Sequence, residues 1–245
     1  MLAPILAIAR ITFSPIRTPS AADVVQRPAQ TPVWHPGTCA ESTDAIPLKA
    51  HMQQIWERVN KAPRLELHHR EMTHGERYEA IEQYVRPDQF RRVIYSERYP
   101  GSSSPIAGIE SVYVGDRAYE RLGSQAERWF AAPRFGNYTS NTHYGQVSGN
   151  VTVSALRFTG KEILETGIEA CLYAYQRTTT DEQGMTIETS SEVLWVSIDD
   201  GHPQQWRLEK VNHHLTPPII TERTTTFHYP DTLTIQIPIA SLVTP

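Results

Sequence analysis

This chain of 245 residues has little net charge, few cysteines and no long apolar run. Its net charge of −4 provides no positive field that would attract nucleic acid. The apolar stretch at residues 2–9 is far too short to span a bilayer, so no transmembrane segment is predicted. Hydrophobic residues make up only 39% of the chain. Aromatic and β-branched residues nevertheless recur, which favours a β-sheet over disorder.

The sequence also lacks the motifs that carry common catalytic chemistry. It contains no Gly-x-Ser-x-Gly elbow and no phosphate-binding glycine loop. Histidine pairs occur at residues 68–69 and 213–214, but adjacent residues of a strand point to opposite faces, so neither pair chelates one metal ion. Glu110, Glu169 and Glu192 are expected on exposed sheet faces, where carboxylates are common. We predict no catalytic residue, no metal ligand and no cofactor.

One amphipathic helix precedes a long series of strands. Apolar residues recur at helical spacing from Leu48 to Val59, and Pro63 ends a helix predicted over residues 47–61. The segment 129–150 is predicted to be a long loop. Short turn signals separate the strands and predict antiparallel neighbours. The predicted strands cover residues 64–73, 77–86, 89–97, 109–114, 117–122, 151–158, 162–164, 170–180, 185–198, 204–213, 221–229 and 233–237.

The chain ends differ in composition from its centre. Residues 1–38 are predicted to be a leader, either a degenerate export signal or a disordered lead-in rich in proline and alanine. A single domain is predicted over residues 39–238, followed by a tail at 239–245. The two cysteines, Cys39 and Cys171, fit either one bridge in an oxidising compartment or two unrelated buried thiols.

Apolar and aromatic side chains are expected to line the inner face of the sheet. Such a face either forms a filled core against the helix or encloses a ligand-sized cavity. An acyl-chain carrier needs a cavity of roughly several hundred Å³, since each buried methylene contributes ~0.8 kcal/mol. The residues predicted to line this apolar cavity are Ile55, Trp56, Val59, Tyr113, Trp129, Phe158, Tyr173, Trp195, Trp206 and Phe227.

Several strand and turn segments resemble bacterial envelope proteins of the LolA/LppX-like type. They are GKEI at 160–163, GIEACLYAY at 167–175, LWVSIDDGHP at 194–203, TTTFHY at 224–229 and IQIP at 235–238. The resemblance implies a mainly β fold, in which a curved antiparallel sheet or half-open β-barrel wraps around one or a few helices. It also implies export to the periplasm, an apolar cavity that carries acyl chains in some members, and a disulfide bond between Cys39 and Cys171.

These observations lead to a functional prediction with alternatives. The first is a non-enzymatic periplasmic protein that binds a lipid, a lipoprotein acyl chain or another apolar ligand on the inner face. The second is an interaction or sensor module of the cell envelope, with a filled core and a protein partner. The least favoured alternative is a hydrolase with a dispersed active site.

Overall fold

The computed structural model describes residues 35, 37–41, 45–73, 75–96, 107–123, 128–131, 150–213, 216–239 and 243–244. The chain divides into two units, Met1–Thr31 and Pro32–Pro245. All described residues belong to the second unit, so most of the predicted leader lies outside them. The part of the predicted loop at residues 132–149 also lies outside the described residues.

The predicted helix is α1, Ala45–Lys61. It begins two residues earlier than predicted. Its last turn carries Arg58 and Lys61, whose charges favour the carboxyl end of a helix. The apolar stripe that predicted the helix is the buried face, with Ile55 and Val59 each 0% exposed.

The strands are β1 Arg64–Thr73, β2 Glu76–Val85, β3 Gln89–Ser96, β4 Ala107–Val114, β5 Arg117–Leu122, β6 Trp129–Ala131, β7 Asn150–Ile163, β8 Glu169–Thr180, β9 Thr186–Ser197, β10 Pro203–Asn212, β11 Ile219–His228 and β12 Val243–Thr244. They form one sheet, in the spatial order β12-β6-β5-β4-β3-β2-β1-β11-β10-β9-β8-β7. Neighbours are antiparallel, except that β12 pairs parallel with β6. The mainly β class and the antiparallel sheet are therefore confirmed.

Four strand assignments differ from the prediction, including residues 243–244 of the predicted tail, which form β12. The segments 151–158 and 162–164 form a single strand, β7, because bulges after Ser154 and Phe158 absorb the extra residues without ending the pairing. Residues 129–131 of the predicted loop form β6. The predicted strand at 233–237 has no ladder. Its Ile235 is instead buried against Val112 and Trp129.

The two faces of the sheet are distinguished by their contacts with α1. We call the face that carries Leu65 and Leu67 the helix face, because these side chains join one buried cluster with α1. The opposite face is the outer face. Side chains from ten neighbouring strands, β7 through β5, lie in or against the helix-face cluster. A helix of about 25 Å meets a row of strands about 43 Å wide, which fits a sheet that curves around the helix, as predicted.

Candidate functional site

Eight of the ten predicted cavity residues lie in or against the helix-face cluster. Beneath α1 this side of the sheet is filled, since Ile55, Val59, Leu67 and Tyr173 are all 0% exposed. The Trp56 ring also packs edge-on against that of Trp206, with centroids 5.7 Å apart. The eight residues are Ile55, Trp56, Val59, Tyr113, Phe158, Tyr173, Trp206 and Phe227.

Trp129 and Trp195 were expected on the same face and lie on the outer one. Trp129 packs with Val112 and Ile235, and the Arg121 guanidinium lies 4.9 Å from its ring centre. Trp195 donates from Nε1 to a carboxylate oxygen of Glu162 at 2.9 Å. Alternation along a strand fixes which residues share a face, but not which face meets the helix. Predicting which face these two tryptophans occupy therefore requires the sheet register.

A disulfide bond joins Cys39 to Cys171, as the resemblance implies. Two backbone N–H groups also hold the segment before α1 at the end of the sheet where the disulfide bond lies. Gly37 N–H donates to Ile198 O at 3.0 Å, and Ala40 N–H donates to Tyr173 Oη at 3.0 Å. The covalent bond and these contacts fix the chain that enters α1 against β8 and β9.

His51 of α1 is buried against Tyr173, next to the disulfide-linked segment. Its Nε2 lies 3.2 Å from Tyr173 Oη, and the residue is 3% exposed. Burial, assisted by the positive charge of Arg58, lowers the pKa of His51 to about 4. Burial also raises the pKa of Tyr173 to about 12. Both side chains are therefore neutral near pH 7.

The buried His51 predicts a loss of stability in mild acid. Unfolded His51 binds a proton below about pH 6.5, whereas folded His51 binds it only near pH 4. The unfolded state thus binds more protons between these values, and the free energy of unfolding falls as the pH drops through this window. We expect a loss of about 2 to 3 kcal/mol, measured by urea unfolding at a series of pH values.

His51→Gln is the control for this pH dependence. Glutamine can still hydrogen bond to Tyr173 but does not titrate. The variant should therefore lose most of the slope between pH 6.5 and 4.5. Equal slopes in the wild type and the variant contradict this assignment.

A buried polar network lies on the helix face beyond the apolar cluster. Glu192, expected on an exposed face, is only 2% exposed, so that prediction is wrong. Its carboxylate accepts hydrogen bonds from Ser190 Oγ at 2.6 Å and Trp206 Nε1 at 3.0 Å, and it pairs with Arg177 Nε at 3.0 Å. Burial, followed by the charge of Glu192, raises the pKa of Tyr175. Glu192 lies two residues before the buried Leu194, so the two side chains share a face of the strand. This alternation was the sequence signal that could have predicted the burial of Glu192.

A second buried network joins β11, β1, β2 and β3. The Thr225 hydroxyl lies 2.9 Å from His69 Nδ1, and His69 Nε2 lies 3.4 Å from a Glu82 carboxylate oxygen. Burial by itself raises the pKa of Glu82, but His69, a 2.7 Å hydrogen bond from Tyr84 Oη and the charge of Arg92 together lower it to about 2. The Glu82 carboxylate is therefore ionised and takes part in these contacts. Thr225 is 0% exposed. This arrangement pairs a buried histidine with a carboxylate and a hydroxyl across three strands.

An open apolar patch lies on the helix face of β3 to β6. Ile94, Ile109 and Leu122 are opposite one another in the ladder, so they form one row across three strands. Phe130 lies on the same face, because it pairs with Glu120, two residues before Leu122. Ile109, Leu122 and Phe130 are 39%, 48% and 36% exposed. We call these four residues the open patch. The sequence analysis missed it because only the register brings them together.

The outer face is polar by comparison. A shallow cavity of about 220 Å³ on this side is lined by side chains of β11, β1, β2 and β3 that include His68, His228 and Tyr95. The two imidazole rings lie 4.7 Å apart. Within the described residues, no group of three or more histidine, cysteine, aspartate or glutamate side chains is arranged to hold a metal ion.

Comparisons with known proteins give a likeness of fold alone. The chain is similar to the crystal structure of LprF from Mycobacterium bovis, with 11% identity and a TM-score of 0.46 over 78% of this chain and 96% of that one. It is also similar to a DUF1329 family protein from Desulfovibrio piger ATCC 29098, with 13% identity and a TM-score of 0.29 over 77% and 95%. No family model and no curated protein matches it.

This likeness says nothing about a ligand. Among the described residues, α1 is the one α-helix, and no helix has the length and apolar character needed to cross a bilayer.

Proposed function

We propose that this protein is a non-enzymatic, exported protein of the periplasm that binds an apolar chain, such as a lipid acyl chain, on the open patch. The observation that carries the proposal is the row of Ile94, Ile109 and Leu122, in which Ile109 and Leu122 are exposed. The row lies on the same face of the sheet as the cluster that packs against α1. Scattered exposed apolar residues need no explanation, but a contiguous row on neighbouring strands is typical of a binding surface. The compartment is supported by the disulfide bond, which persists in oxidising environments.

The proposal places the ligand beside α1 rather than beneath it. Beneath α1 the side chains of Val59, Leu67 and Tyr173 are fully buried, so no acyl chain fits there without displacing the helix. The open patch spans four strands, which corresponds to a width of about 14 Å. Each methylene removed from water along this row contributes ~0.8 kcal/mol. Eight such groups together contribute roughly 6 kcal/mol. This free energy offsets the affinity of the same part of the acyl chain for a membrane, so one chain would bind reversibly.

The proposal predicts that two charged substitutions in the open patch weaken ligand binding. The double variant I109D/L122D places carboxylates in the apolar row, and desolvating them opposes binding of an acyl chain. We expect the affinity for a fluorescent fatty acid, measured by titration, to fall at least tenfold, equivalent to about 1.4 kcal/mol.

The matched control is the double variant M72D/I220D on the outer face. Met72 and Ile220 are 50% and 54% exposed, so this variant has the same charge change at similar exposure. It should bind the probe as the wild type does. Equal weakening in both variants, or no probe binding by the wild type, contradicts the proposal.

A second candidate is an interaction or sensor module of the cell envelope. It is favoured by the packing of Ile55 and Val59 against the sheet, which leaves a filled core at that point. In that case a protein partner is captured from envelope extract by the wild type. It is also captured when aromatic residues of the helix-face cluster are changed, and no fatty acid probe binds.

A further inference from the structure

The two ends of the sheet are protected very differently. At one end the strand β6 has three residues and is covered by β12, which pairs with Trp129 and Phe130. At the other end β7 has 14 residues, and within the described residues only β8 pairs with it. The side chains of Thr152, Val153, Ser154 and Ala155 are all exposed. A long edge strand with free backbone donors and acceptors is a template for pairing with another strand.

The first half of β7 lacks the devices that usually protect an edge. The segment 150–156 contains no charged residue, no proline and no glycine, although charges and proline are the common means of blunting an edge strand. Its pairing with β8 is regular from Asn150 to Ser154. A bulge follows, with Ala155 at φ 51°, so the second half of the strand diverges from a flat edge.

We infer that this segment pairs antiparallel with the same segment of a second copy of the chain, about a two-fold axis at Thr152. Directly opposed residues of an antiparallel pair lie on the same face of a sheet. Val151 and Val153 share the helix face with their neighbours in β8, Thr179 and Arg177, while Thr152 lies on the outer face. An axis at Thr152 then places Val151 of one copy opposite Val153 of the other, twice, and the two threonines opposite each other.

A second copy fits this edge because the segment is complementary to itself. β-Branched pairs and threonine pairs are favourable cross-strand partners. The segment carries no charged side chain, so no like charges face each other within the contact. The regular run is short, so the contact area is smaller than the about 800 Å² per partner of a stable complex. The dimer is therefore a reversible one that forms at high protein concentration.

The test is the association state of the full chain in analytical ultracentrifugation across a range of concentrations. The wild type should show a monomer–dimer equilibrium. T152K places two positive charges opposite each other at the axis, and T152E two negative ones, so each variant alone should be monomeric at concentrations where the wild type dimerises. A mixture of T152K and T152E should dimerise again, because opposite charges then face each other across the axis.

T186K adds the same charge at an exposed threonine in β9, away from the edge, and should dimerise as the wild type does. A wild type that is monomeric at every concentration overturns the inference. So does a dimer that T152K leaves intact, or a mixture of the two charged variants that stays monomeric. Binding of the fatty acid probe to the open patch is measured separately, and its failure does not affect these outcomes.

Discussion

Replacing both Cys39 and Cys171 with serine is expected to lower the free energy of unfolding by up to about 5 kcal/mol. The bond closes a sequence separation of 132 residues, and a cross-link across so long a segment removes much conformational freedom from the unfolded chain. The native contacts that hold this segment in place, Gly37 N–H to Ile198 O and Ala40 N–H to Tyr173 Oη, do not constrain the unfolded state. The measurement is urea unfolding followed by circular dichroism.

A reductant provides an independent control for the disulfide bond. Reducing the wild type should shift its unfolding midpoint to that of the C39S/C171S variant, while the variant should be insensitive to reductant. Since the bond ties the segment before α1 to β8, its loss should also weaken the helix-face cluster at that end. A difference of less than about 1 kcal/mol between oxidised and reduced protein contradicts this prediction.

Glu192→Ala is expected to lower the free energy of unfolding by about 3 to 5 kcal/mol, because it removes the shared acceptor of a buried network. Ser190 Oγ and Trp206 Nε1 lose their hydrogen-bond acceptor, and Arg177 loses its charge partner. An unpaired buried donor costs about 1 to 3 kcal/mol, so the three losses outweigh any gain in chain entropy. The measurement is thermal and urea unfolding of the purified variant.

Glu188→Ala is the matched control for this substitution. Glu188 lies four residues earlier on the same strand and face, and pairs with Lys210 Nζ at 3.3 Å. Its side chain is 28% exposed, against 1% for Glu192. Exposed ion pairs contribute about 0.2 to 1 kcal/mol. If the two alanine variants lose equal stability, burial is not what makes the Glu192 network important.

The open patch and the Glu192 network follow from the same feature of the sheet. Within the part of the chain that the structure describes, one helix covers only part of the helix face, because α1 has 17 residues and the sheet has twelve strands. Elsewhere on that face Glu192 is buried and paired, while Ile109, Leu122 and Phe130 in β4 to β6 are exposed. A ligand on the open patch would therefore cover apolar side chains that are exposed among the described residues.

Local patterns in the sequence were enough to predict most of the elements. The turn signals at 87–88, 115–116 and 200–201 separate strands that do pair as hairpins. The helical spacing of Leu48 to Val59 predicted α1. These features depend on backbone geometry within a few neighbouring residues, which the sequence encodes directly. The pairing of Cys39 with Cys171 came from the resemblance.

By itself the sequence determined a mainly β chain of hairpins with one amphipathic helix. Only the tertiary structure decided that β1 pairs with β11, where Leu67 is opposite Phe227, and that this pairing joins two sets of hairpins into one sheet. The same register put Trp129 and Trp195 on the outer face and assembled the open patch. The physical reason is that strand periodicity relates each side chain only to its neighbours two residues away, whereas face and register are set by contacts between distant segments.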